Sequence, residues 1–334
     1  MQEMGLALVV LLLGVVLGVY GWHDASHGRP NTFFNVDNLV DGVATPMSYY
    51  AIMAVGITLV IITGGIDISV GATMALSALG GAAALQHFAA GASAWVVLPV
   101  AILLPALIGL TCGLVNGGLI VGLNLHPFIV TLGTLSIFRG LANVLPSQKT
   151  LPVAGKPLPY AFTTHLMRVE VFGIQPMPLI VMLIFVALGS FYLRMLVMGR
   201  ETYAVGGNEE AARFSGLNVG WIKLRTYALA GLCAGVAGMV SLGRFGTAST
   251  STGNGYELTV IAAAVVGGAS LNGGRGSALG ALLGTLVIAL IENGIIILRL
   301  AQEYRLVIIG LAIIVAVSLD QLSTYLRRRA AVRA

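Results

Sequence analysis

Long apolar runs, separated by short polar or Gly/Pro-rich stretches, make up most of the chain. A hydrocarbon core about 30 Å thick is crossed by about 20 apolar residues in a helix. Runs of that order lie near residues 4–22, 46–63, 69–90, 94–119, 126–145, 177–198, 222–243, 256–271, 277–298 and 304–321. The pattern predicts an all-α integral membrane protein with about ten transmembrane helices, or as few as eight if pieces such as 46–90 form one long span and a re-entrant segment. The first run has Glu3 but no Lys or Arg before it, and no small-residue cleavage site after Tyr20. It is expected to be a retained helix, not a removed signal peptide.

Composition agrees. Of 334 residues, 57% are hydrophobic and 9% charged, with a mean hydropathy of +0.94. A soluble domain carries roughly a quarter charged residues, so a water-soluble enzyme is excluded. Between Pro46 and Leu145 the charged side chains are Asp67 and Arg139. The net charge of +5 does not indicate nucleic acid, because Arg327, Arg328, Arg329 and Arg333 follow an apolar run as cytoplasmic anchors do. An even number of spans then puts both termini in the cytoplasm. His23–Thr45 and Pro146–Pro176 read as outer loops, and neither is large enough to be a domain. Residues 1–334 are expected to form one membrane domain, with 199–222 a cytoplasmic loop inside it. Cys112 and Cys233 lie in apolar runs without CxxC or Cys/His company, so they read as packing residues and no metal site is indicated.

The loop is the most informative segment. Asn208 can cap a short helix whose first turn holds Glu209 and Glu210, both favourable at the positive end of the helix dipole, and Gly216 supplies the stop. Ala211, Ala212, Arg213 and Phe214 lie between, as in a knob held out to a partner's groove. A solvated connector is the plainer reading. Elsewhere the glycine pair Gly64-Gly65 ends one apolar run before Asp67-Ile-Ser69, and Gly267-Gly268, followed by Asn272, repeats the plan some 200 residues later. Broken helices at membrane depth need protein or water around them, and paired breaks in two halves point to an internal pathway.

Tyr203-Ala-Val-Gly-Gly-Asn-Glu-Glu-Ala-Ala-Arg with Gly216-Leu-Asn-Val, Gly64-Gly-Ile-Asp-Ile-Ser-Val-Gly71, and Val266-Gly-Gly-Ala-Ser-Leu-Asn-Gly-Gly-Arg-Gly276 resemble, in order, the ribose-type permeases of ATP-binding-cassette (ABC) importers. Glu210-Ala-Ala with Gly216 resembles their EAA loop, although Ile222-Lys-Leu224 is followed by Arg225 where many permeases have Pro. The resemblance covers about residues 46–320. It implies a type II importer-like permease of the bacterial inner membrane, working by alternating access as a homodimer or heterodimer. Partner ATPase subunits would hold ATP and Mg and clamp residues 208–216, and a periplasmic binding protein would deliver a monosaccharide or similar neutral solute. This chain would itself need no cofactor. Its lysines, Lys149, Lys156 and Lys223, fit no phosphate-binding GxxxxGK[ST] loop. An ion-coupled secondary transporter and a branched-chain amino acid permease are the alternatives.

For the path or a gate the candidates are Gly64, Gly65, Asp67, Ser69, Asn116, Gly267, Gly268, Asn272, Glu292 and Asn293. Intramembrane carboxylates are functional candidates by default; capping of the next helix is the structural alternative for Asp67. Interhelical hydrogen bonding is the alternative for Asn116 and Glu292.

Overall fold

The computed structural model describes residues 2–26, 31–144, 146, 148–301, 303–305, 307–311 and 314. Its helices are α1 (Gln2–Ser26), α2 (Thr45–Ile62), α3 (Val70–Leu85), α4 (Ala94–Gly122), α5 (Pro127–Val144), α6 (Tyr160–Phe162), α7 (Met177–Met195), α8 (Val197–Gly207), α9 (Glu209–Phe214), α10 (Val219–Phe245), α11 (Tyr256–Val266) and α12 (Ala278–Ile297). A π-helical stretch, Asn38–Ala44, runs directly into α2. A two-residue pairing joins β1 (Thr150–Leu151) to β2 (Ala248–Ser249).

Among the described residues, seven helical segments are long and apolar enough to cross a membrane, while α3 and α11 are shorter. Two expectations need correction. The run at 69–90 stays helical only to Leu85, and the run at 256–271 is helical only to Val266, which Gly267 and Gly268 end. At about 1.5 Å per residue α11 covers only about half of a bilayer. The run at 304–321 and the arginine tail lie largely outside the described residues.

Helix α2 is apolar on every side and buried on every side, Pro46 excepted. That is how a central helix differs from an amphipathic surface one. It packs on α7, α10, α11 and α12. The outside carries aliphatic side chains such as Leu11 and Val15 of α1, Leu103 and Leu107 of α4, Leu132 of α5 and Leu183 of α7, all exposed as lipid-facing residues must be.

Helices α4 and α10 cross antiparallel and very closely. Gly109 faces Gly231 and Gly235, Gly113 faces Tyr227, and Gly117 faces Leu224. Lipid tails are as apolar as side chains, so association in a bilayer relies on such backbone approach and not on hydrophobic transfer.

The bundle has two distinct ends. At one, Ile62 at the end of α2 meets Gly274 and α8. At the other, Tyr50 near the start of α2 meets Arg305, and Asn38 meets Asn293. The C-terminal half of α1 lies beside the end of α12, where Leu17 touches Gly294, so the start of α1 points toward the α8–α9 end.

Candidate coupling surface and translocation path

Helix α9 forms as its sequence dictates. The Asn208 side chain accepts the Ala211 N–H at 2.9 Å, and Glu209 and Glu210 occupy the first turn. At the other end Gly216 takes φ +84°, the Leu217 N–H reaches the Ala212 carbonyl, and the Gly216 N–H reaches the Arg213 carbonyl. This is a Schellman stop, in which a left-handed glycine turns the chain back. Ala212 is buried with Val205, Leu217, Val219 and Ile222, so it fastens α9 to α8 and α10. Glu209 reaches toward α10, with its carboxylate 2.7 Å from the Lys223 ammonium and 3.4 Å from Arg213. What remains on the outside is Glu210, Ala211, Arg213 and Phe214, the last 84% exposed. The outer face of α9 thus combines an exposed phenyl ring with a carboxylate and a guanidinium.

The two helix breaks are the same motif. After α2, the Gly65 N–H bonds the Val60 carbonyl and the Gly64 N–H bonds Ile61, with Gly64 at φ +77°. After α11, the Ala269 N–H bonds Ala264 and the Gly268 N–H bonds Val265, with Gly268 at φ +93°. Gly64 therefore corresponds to Gly268, one place off the register in which the two glycine pairs align by eye. In both cases the left-handed residue must be glycine, and the chain then turns into a helix running back: α3 after Ser69, α12 after Ser277.

Both breaks lie at the α8–α9 end and touch one another. The Gly274 N–H donates to the Ile62 carbonyl at 2.8 Å. Helix α8 is seated against this junction. The Tyr203 hydroxyl donates to the Gly276 carbonyl at 2.6 Å, and burial pushes the phenol above its ordinary pKa, so it remains a donor. Gly206 approaches so closely that a Cβ there would overlap the Ile62 carbonyl oxygen and lie 2.6 Å from the Gly274 nitrogen. Asn208, the cap of α9, is two residues further on. Helix α9, through α8, is thus contiguous with the two breaks.

The polar candidates fall into three places. Asp67 is 3% exposed and accepts the Ser69 N–H at 2.8 Å and hydroxyl at 2.6 Å. Asn116 of α4 joins it, donating to the Ser69 hydroxyl at 2.8 Å and to Asp67 at 3.3 Å. These three tie the turn before α3 to α4. At the opposite end Asn293 and Asn38 exchange amide hydrogen bonds, and Glu292 pairs with Arg305, which also donates to the Tyr50 hydroxyl at 3.0 Å. Asn272 is exposed on the 267–276 loop, beside neither group. The site candidates are therefore not one constellation.

The family model described as branched-chain amino acid transport system / permease component matches residues 39–317. The chain belongs to this family. The permease is 38% identical to the ribose import permease protein RbsC of Bacillus subtilis over 96% of this chain and 93% of that one. It is 34% identical to the D-allose transport system permease protein AlsC of Escherichia coli, over 93% and 90%. Identity to the galactose/methyl galactoside import permease protein MglC of Escherichia coli is 33%, over 98% and 96%. No solved structure matches the permease. With its apolar helices, the family places it in the inner membrane as a multi-pass transport component.

One group of residues went unread in the sequence. Arg139, the charge inside α5, donates to the carbonyls of Thr250 and Thr252 at 3.1 and 2.7 Å. Residues 246–255, between α10 and α11, consist of Gly, Thr, Ser, Ala and Asn alone. A polar stretch that long exceeds a tight helix connection of roughly 2–8 residues, and this was the available signal.

Proposed function

We propose that this chain is the membrane-spanning subunit of an ATP-driven importer for a monosaccharide. The observation that carries the reading is the capped helix α9, which presents Phe214 to solvent while its anchor α8 rests on both helix breaks. The proposal includes two copies, or one copy with a related partner, around a shared path. ATPase subunits holding ATP and Mg would seat the Glu210, Arg213 and Phe214 face; a periplasmic binding protein would meet the opposite end. Both termini would lie in the cytoplasm with α9, supported by the direction of α1 and by the arginine tail. The relatives' names for ribose, allose and galactose support a sugar as the solute. Closure of the ATPases would shift α9 and α8 as one piece and so bias the breaks of α2 and α11.

The test is reconstitution in liposomes with the ATPase and a binding protein. Phe214→Asp and Glu210→Lys are expected to leave the permease in the membrane but to lower ATP-dependent ribose uptake by about a hundredfold, as loss of an interface anchor does. Gly216→Pro should act alike, since proline cannot adopt φ +84°. Normal uptake by these variants would remove the coupling assignment. Uptake by the permease alone under an ion gradient would establish the secondary-transporter alternative.

A further inference from the structure

The segment between α10 and α11 reads Gly246-Thr-Ala-Ser-Thr-Ser-Thr-Gly-Asn-Gly255. It starts from the left-handed cap of α10 at Gly246 and descends beside α3. At its upper end Ala248 and Ser249 pair with Leu151 and Thr150, and nearby the Val153 N–H bonds Gln86, which caps the far end of α3. At its lower end Gly253 lies against Gly71, the second residue of α3. Helix α3 rises about 24 Å in between. Further along α3, Met74, Ser77 and Ala78 pack on Gly238, well inside the roughly 40 Å of α10. Gly253 is therefore near mid-membrane, and α11 completes the crossing from there.

This mid-depth stretch is turn-rich, not helical, and its side chains are polar. Ser251 and Asn254 are exposed; the Ser251 hydroxyl pairs with that of Ser249 at 2.8 Å, and the Asn254 amide has no hydrogen-bond partner among the described residues. Glu257 is half-exposed, with its carboxylate against Gly71, near enough to Arg139 for the two charges to interact, and with no hydrogen-bond donor among the described residues. Asn254 and Glu257 cannot face lipid, because an amide or carboxylate left without a partner in hydrocarbon costs several kcal/mol. The face they form must therefore be wet and covered by protein.

We infer that residues 247–257 line the passage of the solute at mid-membrane, with Ser251, Asn254 and Glu257 as its contacts, and that a second copy of this chain closes the passage from the other side. The chemistry selects a neutral polyhydroxylated solute. Hydroxyls of such a solute both donate and accept, matching Ser and Thr hydroxyls, the Asn amide and the carboxylate. The Arg139 charge opposes that of Glu257, so the lining offers no net charge to hold an ion. One protomer supplies only half of the wall, and the site is incomplete without its partner. This inference rests on the importer reading above and adds where the solute passes.

Single-cysteine variants Ser251→Cys and Asn254→Cys, in the assembled importer in liposomes, are to be treated with a water-soluble methanethiosulfonate. Leu183→Cys and Leu11→Cys, on the lipid-facing sides of α7 and α1, serve as references; Cys112 and Cys233 are buried. Positions 251 and 254 are expected to react at least about tenfold faster than the references, since thiolate formation needs water. Ribose-loaded binding protein with ATP should slow them. In parallel, Asn254→Leu and Glu257→Gln should lower ribose uptake about tenfold while ATP hydrolysis continues. Reference-like reactivity at both positions, or uptake at the normal rate in both variants, would overturn the inference. A wild-type importer that moves none of ribose, allose and galactose would instead refute the sugar reading, whatever the labelling shows.

Discussion

Gly206→Ala is expected to abolish sugar uptake while ATPase subunits still bind the permease. The added methyl would overlap the Ile62 carbonyl and crowd the Gly274 nitrogen, both backbone atoms that cannot rotate away. Overpacking of this kind costs about 1–3 kcal/mol. Here the lowest-cost relief is to lift α8 from the two helix breaks. ATP hydrolysis by the reconstituted complex should persist, and uptake per ATP should fall by about a hundredfold. Gly207→Ala is the matched control, since a Cβ there meets nothing within 4 Å. Wild-type uptake by Gly206→Ala would show that α8 does not carry motion between α9 and the breaks.

The second large effect is expected at Arg139. Methionine at this position keeps much of the length and removes the donors that hold the carbonyls of Thr250 and Thr252. Each lost bond from a charged donor would cost about 1.5–3 kcal/mol. The purified permease should lose several degrees of thermal stability and nearly all transport. Lysine should restore part of both, because an ammonium reaches one carbonyl at a time. The contrast is Arg213, whose pairing with Glu209 at 3.4 Å is on the surface and is worth little. Arg213→Met should leave stability unchanged within error, and a melting curve of the three variants side by side checks both statements.

Much of this architecture was legible because a membrane makes the rules strict. Apolar runs of sufficient length gave α1, α2, α4, α5, α7, α10 and α12, and the cap at Asn208 with the stop at Gly216 placed α9 within a residue. Glycine pairs marked both breaks, since only glycine sits easily at positive φ. Less legible was which side of α9 faces out: Glu209 and Ala212 look like neighbours of Glu210 in sequence but turn toward Lys223 and Ile222. Periodicity over six residues is too short to fix a face. The 246–255 stretch was harder still. Its hydrophilic composition reads as a water-exposed loop, and only long-range contacts to Arg139 and Gly71 tie it to α5 and α3. The same limitation scattered the path candidates: single polar residues announce a cost to be met, and whether Asn116 or a solute meets it depends on a helix that is distant in sequence.

The burial of α2 on every side has a consequence for biogenesis. This segment is apolar enough to leave the translocon for lipid early in synthesis, yet of its neighbours α7 emerges only mid-chain and α10, α11 and α12 later still. Until then its sides face acyl chains, including Gly56, which later receives Ala230 and Cys233. The helix must therefore give up a lipid annulus for a protein one, the second stage of membrane folding, driven by close packing. A larger residue at Gly56 would leave insertion intact and stall the chain at that exchange, producing a correctly inserted but unassembled permease that quality-control proteases would remove.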